Sequence, residues 1–125
     1  ALLGPTPRVL EIGTGTGRDA DLLERRGASV VRTDAATSFV RRLRAGDHQA
    51  DVVNVLTDDL GGPYDGVFAN AVLLHLRRAE LPGVLARLHD AVRPGGVGVH
   101  PQGRRGRRLV AGEARATAVF HLLDR

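Results

Sequence analysis

The stretch Glu11-Ile-Gly13-Thr14-Gly15-Thr16-Gly17-Arg18-Asp19 is where this sequence is best equipped for chemistry. Glycines at every second position follow a short β-rich run, Arg8–Ile12, and precede a segment of helical character. Glycine lets backbone approach a bound molecule closely, and the amides that open the helix are available to it. A dinucleotide pyrophosphate site calls for G-x-G-x-x-G. Counted from Gly13, the third glycine of that pattern falls on Arg18. The spacing present is E-x-G-x-G-x-G, which by itself also fits an ordinary tight turn. Asp34 closes the next β-rich run, and a carboxylate in that place can accept both hydroxyls of a ribose. Loop and acid together describe a nucleoside pocket; a lone acid at a strand end would be no more than a helix N-cap.

The loop resembles motif I of the class I S-adenosylmethionine-dependent methyltransferases, and Asp34 stands where that family keeps its ribose-binding acid. Pro63-Tyr-Asp-Gly-Val-Phe-Ala-Asn-Ala-Val-Leu-Leu-His-Leu76 resembles the fourth strand and following loop of small bacterial members. Arg93-Pro-Gly-Gly96 resembles their R-P-G-G turn. These four stretches run in family order from residue 8 to about residue 99. The resemblance implies S-adenosylmethionine as cofactor and a small-molecule methyl acceptor. The implied cofactor contacts are Glu11, Gly13, Thr14, Gly15, Gly17, Asp34, Ala35, Leu56, Thr57 and Asn70. The glycines would pack under the methionine part, and Glu11 would orient the loop or receive the ammonium through water. Asp58 or Asp59 would accept from the adenine amine, although both read equally well as solvated acids.

Methyl transfer is an in-line displacement, so positioning supplies most of the acceleration. A base is required only where the acceptor must lose a proton. His75 is the candidate, with an ordinary pKa near 6.5; its bland alternative is a loop-fixing hydrogen bond. His48 and His89 read as surface residues. No set of side chains has metal-ligand spacing, and no metal is expected.

Strands predicted at Arg8–Ile12, Ser29–Thr33, Asp51–Val55 and Asp65–Ala69 alternate with helices at Asp19–Arg26, Thr37–Ala45 and Arg77–Val92. A fifth strand starts at Val97, after a sharp Pro94-Gly-Gly96 turn. Such alternation specifies an α/β fold, a doubly wound parallel sheet flanked by helices, here ending after about five strands. Ligands of such sheets sit at the carboxyl ends of the strands, where strand order reverses.

The 125 residues suffice for one domain, 42% hydrophobic with 3% aromatic residues, so the core must be aliphatic. There is no cysteine, and no apolar run approaches the roughly 18 residues of a membrane span. Neither is there a secretory leader, so a cytoplasmic location is expected. Methionine is absent even at position 1, which predicts that Ala1 is not a natural start. All 18 basic residues are arginine, and six lie from Arg104 onward, leaving 12 arginines against 12 acids over residues 1–99. The net charge of +4 therefore sits in the tail, which argues against a nucleic-acid partner. A nicotinamide-dependent oxidoreductase and a nucleic-acid module using the Arg104–Arg108 cluster remain the alternatives. Oligomeric state is not encoded in any of these signals.

After Val99 the resemblance stops. Relatives continue with F-T-L-K-E-G, whereas this chain reads His100-Pro-Gln-Gly-Arg-Arg, and Pro101 removes a ladder donor from the expected strand. Read from the second base of the Val99 codon, permitted codons spell Phe-Thr-Leu-Lys-Glu. Leu109 followed by Val110 likewise permits Trp-Ser. Residues 1–99 are thus expected to form the cofactor-binding core, and residues 100–125 a basic tail, disordered or out of frame.

Overall fold

A computed structural model of the chain describes residues 6–69, 75–102 and 105–109. Strands β1 (Arg8–Ile12), β2 (Ser29–Asp34), β3 (Asp51–Val52), β4 (Tyr64–Ala69), β5 (Val92–Gln102) and β6 (Arg105–Leu109) form one sheet in the order β3-β2-β1-β4-β5-β6. The first five are mutually parallel and β6 is antiparallel to β5. Helices α1 (Arg18–Arg25), α2 (Thr37–Ala45) and α3 (Leu81–Ala91) make the crossovers. Strand order reverses between β1 and β4, so the crevice at the end of β1 is the expected ligand position.

Side-chain alternation along β1 sorts the core into two layers. Leu10 and Ile12 pack with Val67 and Ala69 of β4 and with Val84, Leu88 and Ala91 of α3. Val9 faces the other way and meets Phe68 and Leu23 of α1. Helix α2 buries Val40 and Leu43 against Ala50. Leu43 also approaches Gly17, which puts α2 on the α1 side of the sheet.

The elements depart from the expected boundaries for local reasons. The third strand ends at Val52 instead of Val55, because Asn54 Oδ1 accepts from Leu56 N and Asp58 Oδ2 accepts from Asn54 N, turning the chain. Helix α3 begins at Leu81, not Arg77: Glu80 Oε1 accepts from Arg77 N at 2.9 Å, and Pro82 then sits in the first turn. The Pro94-Gly-Gly96 turn lies inside β5. Its pairing with β4 slips from Tyr64↔Val92 to Gly66↔Val97, which makes the segment a bulge. Gly96 is required there, since a Cβ would lie 2.6 Å from Asp65 O.

The sheet also has a strand that the sequence did not predict. Pro101 stands opposite Gly106, and Gln102 opposite Arg105, in a β5–β6 ladder. Proline is tolerated there because β4 pairs with β5 only as far as Val99, so Pro101 has a neighbour strand on one side. Residues 103–104 and 110–125 lie outside the described residues. Among those described, no helix is long and apolar enough to cross a membrane.

Candidate functional site

Three chain segments converge at the carboxyl ends of the strands. Register pairs Ile12 with Thr33 on one side and with Ala69 on the other. The loop leaving β1 is therefore flanked by the ends of β2 and β4. Its shape comes from Gly13, Gly15 and Gly17, all at positive φ (73°, 55° and 86°), a region that glycine enters freely. Thr14 N donates to Thr33 O at 2.8 Å, tying the loop to β2.

Asp34 is the second anchor. Its Oδ2 accepts from Gly15 N at 2.9 Å and its Oδ1 from Ala36 N at 2.8 Å. Each oxygen keeps a further lone-pair site, so the half-buried carboxylate can take two more donors. The acid that shapes the turn ahead of α2 thus also fixes the glycine loop. Ala35 is exposed beside it.

Glu11 lies under the loop with 1% of its surface exposed. In register it stands between Arg32 of β2 and Phe68 of β4. Its Oε1 has no hydrogen-bond partner, and neither has Thr14 Oγ1. Burial pushes the carboxyl up to about 7; the nearby Thr14 hydroxyl pulls it back in part, and Asp19 pushes the same way as burial. A buried carboxyl oxygen without a partner is costly to keep, and one beneath the glycine loop fits a cationic ligand group. A Cβ built on Gly15 meets nothing within 4 Å, so the loop is open on its outer side. There a groove of about 630 Å³ runs along Gly13–Thr16, Arg18, Asp19, Asp21, Leu22 and Arg25.

Other expected residues are placed less decisively. Leu56 packs at the edge of the core, and Thr57 is exposed in the turn after β3. Val53 N donates to Asp34 O at 3.0 Å, which brings that turn next to Asp34. The carboxylates of Asp58 and Asp59 accept from Asn54 N and Gly61 N, both at 2.8 Å, so both acids stabilise their own turns. His75 is exposed just ahead of α3. His48 is exposed as expected, while His89 is half-buried, with Nδ1 3.3 Å from Asp90 Oδ1. Asn70 lies outside the described residues.

Three arginines brace the loop and the sheet; of these the sequence named only Arg93, in the Arg93-Pro-Gly-Gly96 turn, and without its partner. Arg32 of β2 is 3% exposed and bonds to Asp21 at 2.8 Å, to Glu24, and to Gly17 O at 3.5 Å. Burial works against its charge, but the bonds from Asp21 and Glu24 outweigh it and raise its pKa; in turn Arg32 lowers that of Asp21. Arg87 of α3 donates to Val55 O at 2.9 Å and to Asp58 O, bracing the Leu56–Thr57 turn. Arg93 donates to Asp65 Oδ1 at 2.6 Å, and Asp65 Oδ2 accepts from Arg8 N at 2.7 Å, pinning β1, β4 and β5 at the opposite end. A charged residue inside the apolar run Val30-Val-Arg-Thr33 was the available signal for Arg32. Nothing local marks Arg87, and the turn that contains Arg93 does not point to Asp65.

Residues 10–97 match the family model described as Methyltransferase domain. An uncharacterized methyltransferase of Synechocystis is 30% identical over 98 residues, 76% of this chain and 46% of the relative. Among solved structures, the S-adenosylmethionine-bound amino pentose methyltransferase CalS10 of Micromonospora echinaspora is 26% identical with a TM-score of 0.67; the match covers 83% of this chain and 46% of that one. An S-adenosylmethionine-dependent methyltransferase from Mesorhizobium loti, at 21% identity, shares the fold with a TM-score of 0.69 over 80% of this chain and 48% of its own. The chain spans about half the length of these relatives. The family match takes in the glycine loop, Asp34 and the β4–α3 region that the fold brings together: the chain belongs to the class I S-adenosylmethionine-dependent methyltransferase family.

Proposed function

We propose that this chain binds S-adenosylmethionine over the Gly13–Gly17 loop and that its activity is methyl transfer to a small-molecule acceptor. The observation that carries the cofactor assignment is Asp34, held by Gly15 N and Ala36 N with one acceptor site left on each oxygen. Asp34 with Ala35 would take the ribose, and the open face of Gly13, Thr14, Gly15 and Gly17 the amino-acid end. Leu56 and Thr57 would border the base, and Asn70 the methyl-bearing side. Of the charges close to Glu11, Asp19 and Asp34 suit a cationic cofactor better than a pyrophosphate, while Arg32 is already held by Asp21 and Glu24. When bound, the cofactor would supply a sulfonium methyl carbon, which the acceptor would attack in line as the S–C bond breaks and S-adenosylhomocysteine leaves. The small-molecule reading draws support from CalS10, whose acceptor is an amino pentose. His75 would serve as base only for an acceptor that must lose a proton.

Calorimetric titration with S-adenosylhomocysteine tests the reading, beside Gly15→Arg. At φ 55° the substituted backbone is strained, and the new side chain occupies the open side of the loop. Saturable binding by the parent and none by the variant is expected. Failure of the folded parent to bind would overturn the assignment.

A further inference from the structure

We propose that Arg32 is a positioning residue for the cofactor: from beneath α1 it sets the pose of the Gly13–Gly17 loop without touching the bound molecule. The proposal rests on the cofactor reading above and deepens it. Three successive residues of β2 hold the loop. Arg32 Nη1 lies 3.5 Å from Gly17 O, Thr33 O accepts from Thr14 N at 2.8 Å, and Asp34 Oδ2 accepts from Gly15 N at 2.9 Å. Thr33 acts through its backbone, as any residue could there. Asp34 is half-buried and keeps acceptor sites for the ribose. Arg32 is buried, and the groove along the loop and α1 is lined without it. Its guanidinium therefore reaches the loop from behind and a ligand not at all.

Packing alone does not account for an arginine at this place. Position 32 shares a face of β2 with Val30, which packs with Val9, Leu23 and Phe68 under α1. An aliphatic side chain would fill that space with no charge to desolvate. The guanidinium is instead matched by Asp21 and Glu24, one turn apart on α1 and both about half exposed. Water would serve these acids nearly as well as Arg32 does, so the triad adds little net stability. What it adds is direction. Asp21 and Glu24 both take Nη2, and the planar, rigid fork then turns Nη1 to Gly17 O. Gly17, at φ 86°, is the residue where the loop becomes helix, and its carbonyl also accepts from Asp21 N at 2.9 Å. The orientation of that peptide decides how Gly13, Thr14 and Gly15 face the amino-acid end of the cofactor.

Calorimetric titration with S-adenosylhomocysteine and with methylthioadenosine, which shares the nucleoside and lacks the amino-acid end, separates a loop effect from a fold effect. Arg32→Met should leave the urea midpoint close to the parent's and weaken S-adenosylhomocysteine about tenfold. Methylthioadenosine should bind it as it binds the parent, because Ala36 N still holds Asp34. Arg32→Lys should show the same split, since an ammonium can meet one acid but cannot carry a fork to Gly17 O. Glu24 lies off the groove, and its contact with the loop runs through Arg32. Glu24→Gln should therefore weaken S-adenosylhomocysteine about threefold in the parent and have no effect in Arg32→Met. Parent-like affinity for S-adenosylhomocysteine in folded Arg32→Met, or equal losses for the two ligands, would overturn the proposal and leave the cofactor reading standing. If Arg32→Met does not fold, Glu24→Gln decides alone, and an unchanged affinity for S-adenosylhomocysteine overturns the proposal. Absence of binding of either ligand by the folded parent would overturn both.

Discussion

Glu11 imposes a cost on the folded chain that appears only as its carboxyl ionises. Its folded pKa, about 7, lies above the ordinary 4.5. Between those values the folded chain binds more protons than the unfolded one, so stability falls as pH rises and levels off above about 7. At about 1.4 kcal/mol per pKa unit, the full loss is at most about 3.5 kcal/mol. Urea unfolding of the ligand-free chain should show a lower midpoint at about pH 8 than at about pH 5. Glu11→Gln should flatten that slope; a parent midpoint independent of pH would contradict it. Gly17 makes a second residue-scale case. A Cβ there would lie 2.5 Å from Arg32 Nη1 and 3.1 Å from Leu43 Cδ2, at a φ of 86°. Gly17→Ala should cost about 1–3 kcal/mol of unfolding free energy. It should also weaken S-adenosylhomocysteine binding, because Arg32 must leave the carbonyl that fixes the loop.

Between elements, arginines and half-buried acids join what hydrophobic pattern alone leaves adjustable. Asp65 accepts from Arg8 N and from Arg93 Nε, linking the starts of β1, β4 and β5. The Arg8 amide, then the Arg93 guanidinium, hold its pKa below the ordinary 3.8. Its contribution is therefore present above that value and lost as pH falls through the folded one. Asp65→Asn should lower the denaturation midpoint at neutral pH, and the gap to the parent should close below about pH 4; a gap constant with pH would rule out the charge as its cause. This brace also marks the limit of what the sequence discloses. The glycine loop, Asp34 and the alternation of strands with helices were legible because their signals lie within a few neighbouring residues. Asp65 and Arg93 are 28 residues apart, and Arg87 reaches Val55 across 32. No spacing rule connects such partners before the sheet forms. The Asn54 and Asp58 turn was missed for a different reason: apolar periodicity through Val55 masked side-chain capping that ends the strand early.

At the scale of the whole molecule, the unexplained region follows Val99. The family match ends at residue 97, and the chain spans 46% of the Synechocystis relative. Strand β6 joins β5 through backbone pairing, which needs little from side-chain identity, so a ladder at Arg105–Leu109 does not require a family-like sequence there. The pairing covers the edge of β5 that would otherwise stay open to another chain. A tail in the wrong reading frame would then leave the cofactor loop intact, since the loop, Asp34 and Arg32 all lie before residue 35. Acceptor contacts and the remainder of the sheet would be lost with the native frame. The nucleotide sequence across codons 97–125 decides between the readings. Codons spelling Phe-Thr-Leu-Lys-Glu from the second base of the Val99 codon predict that restoring this frame raises the melting temperature and confers turnover, while the parent binds cofactor with none. Codons that forbid that peptide make the arginine-rich tail the protein's own, and full turnover by the 125-residue chain would show that its acceptor site needs nothing the shifted frame encodes.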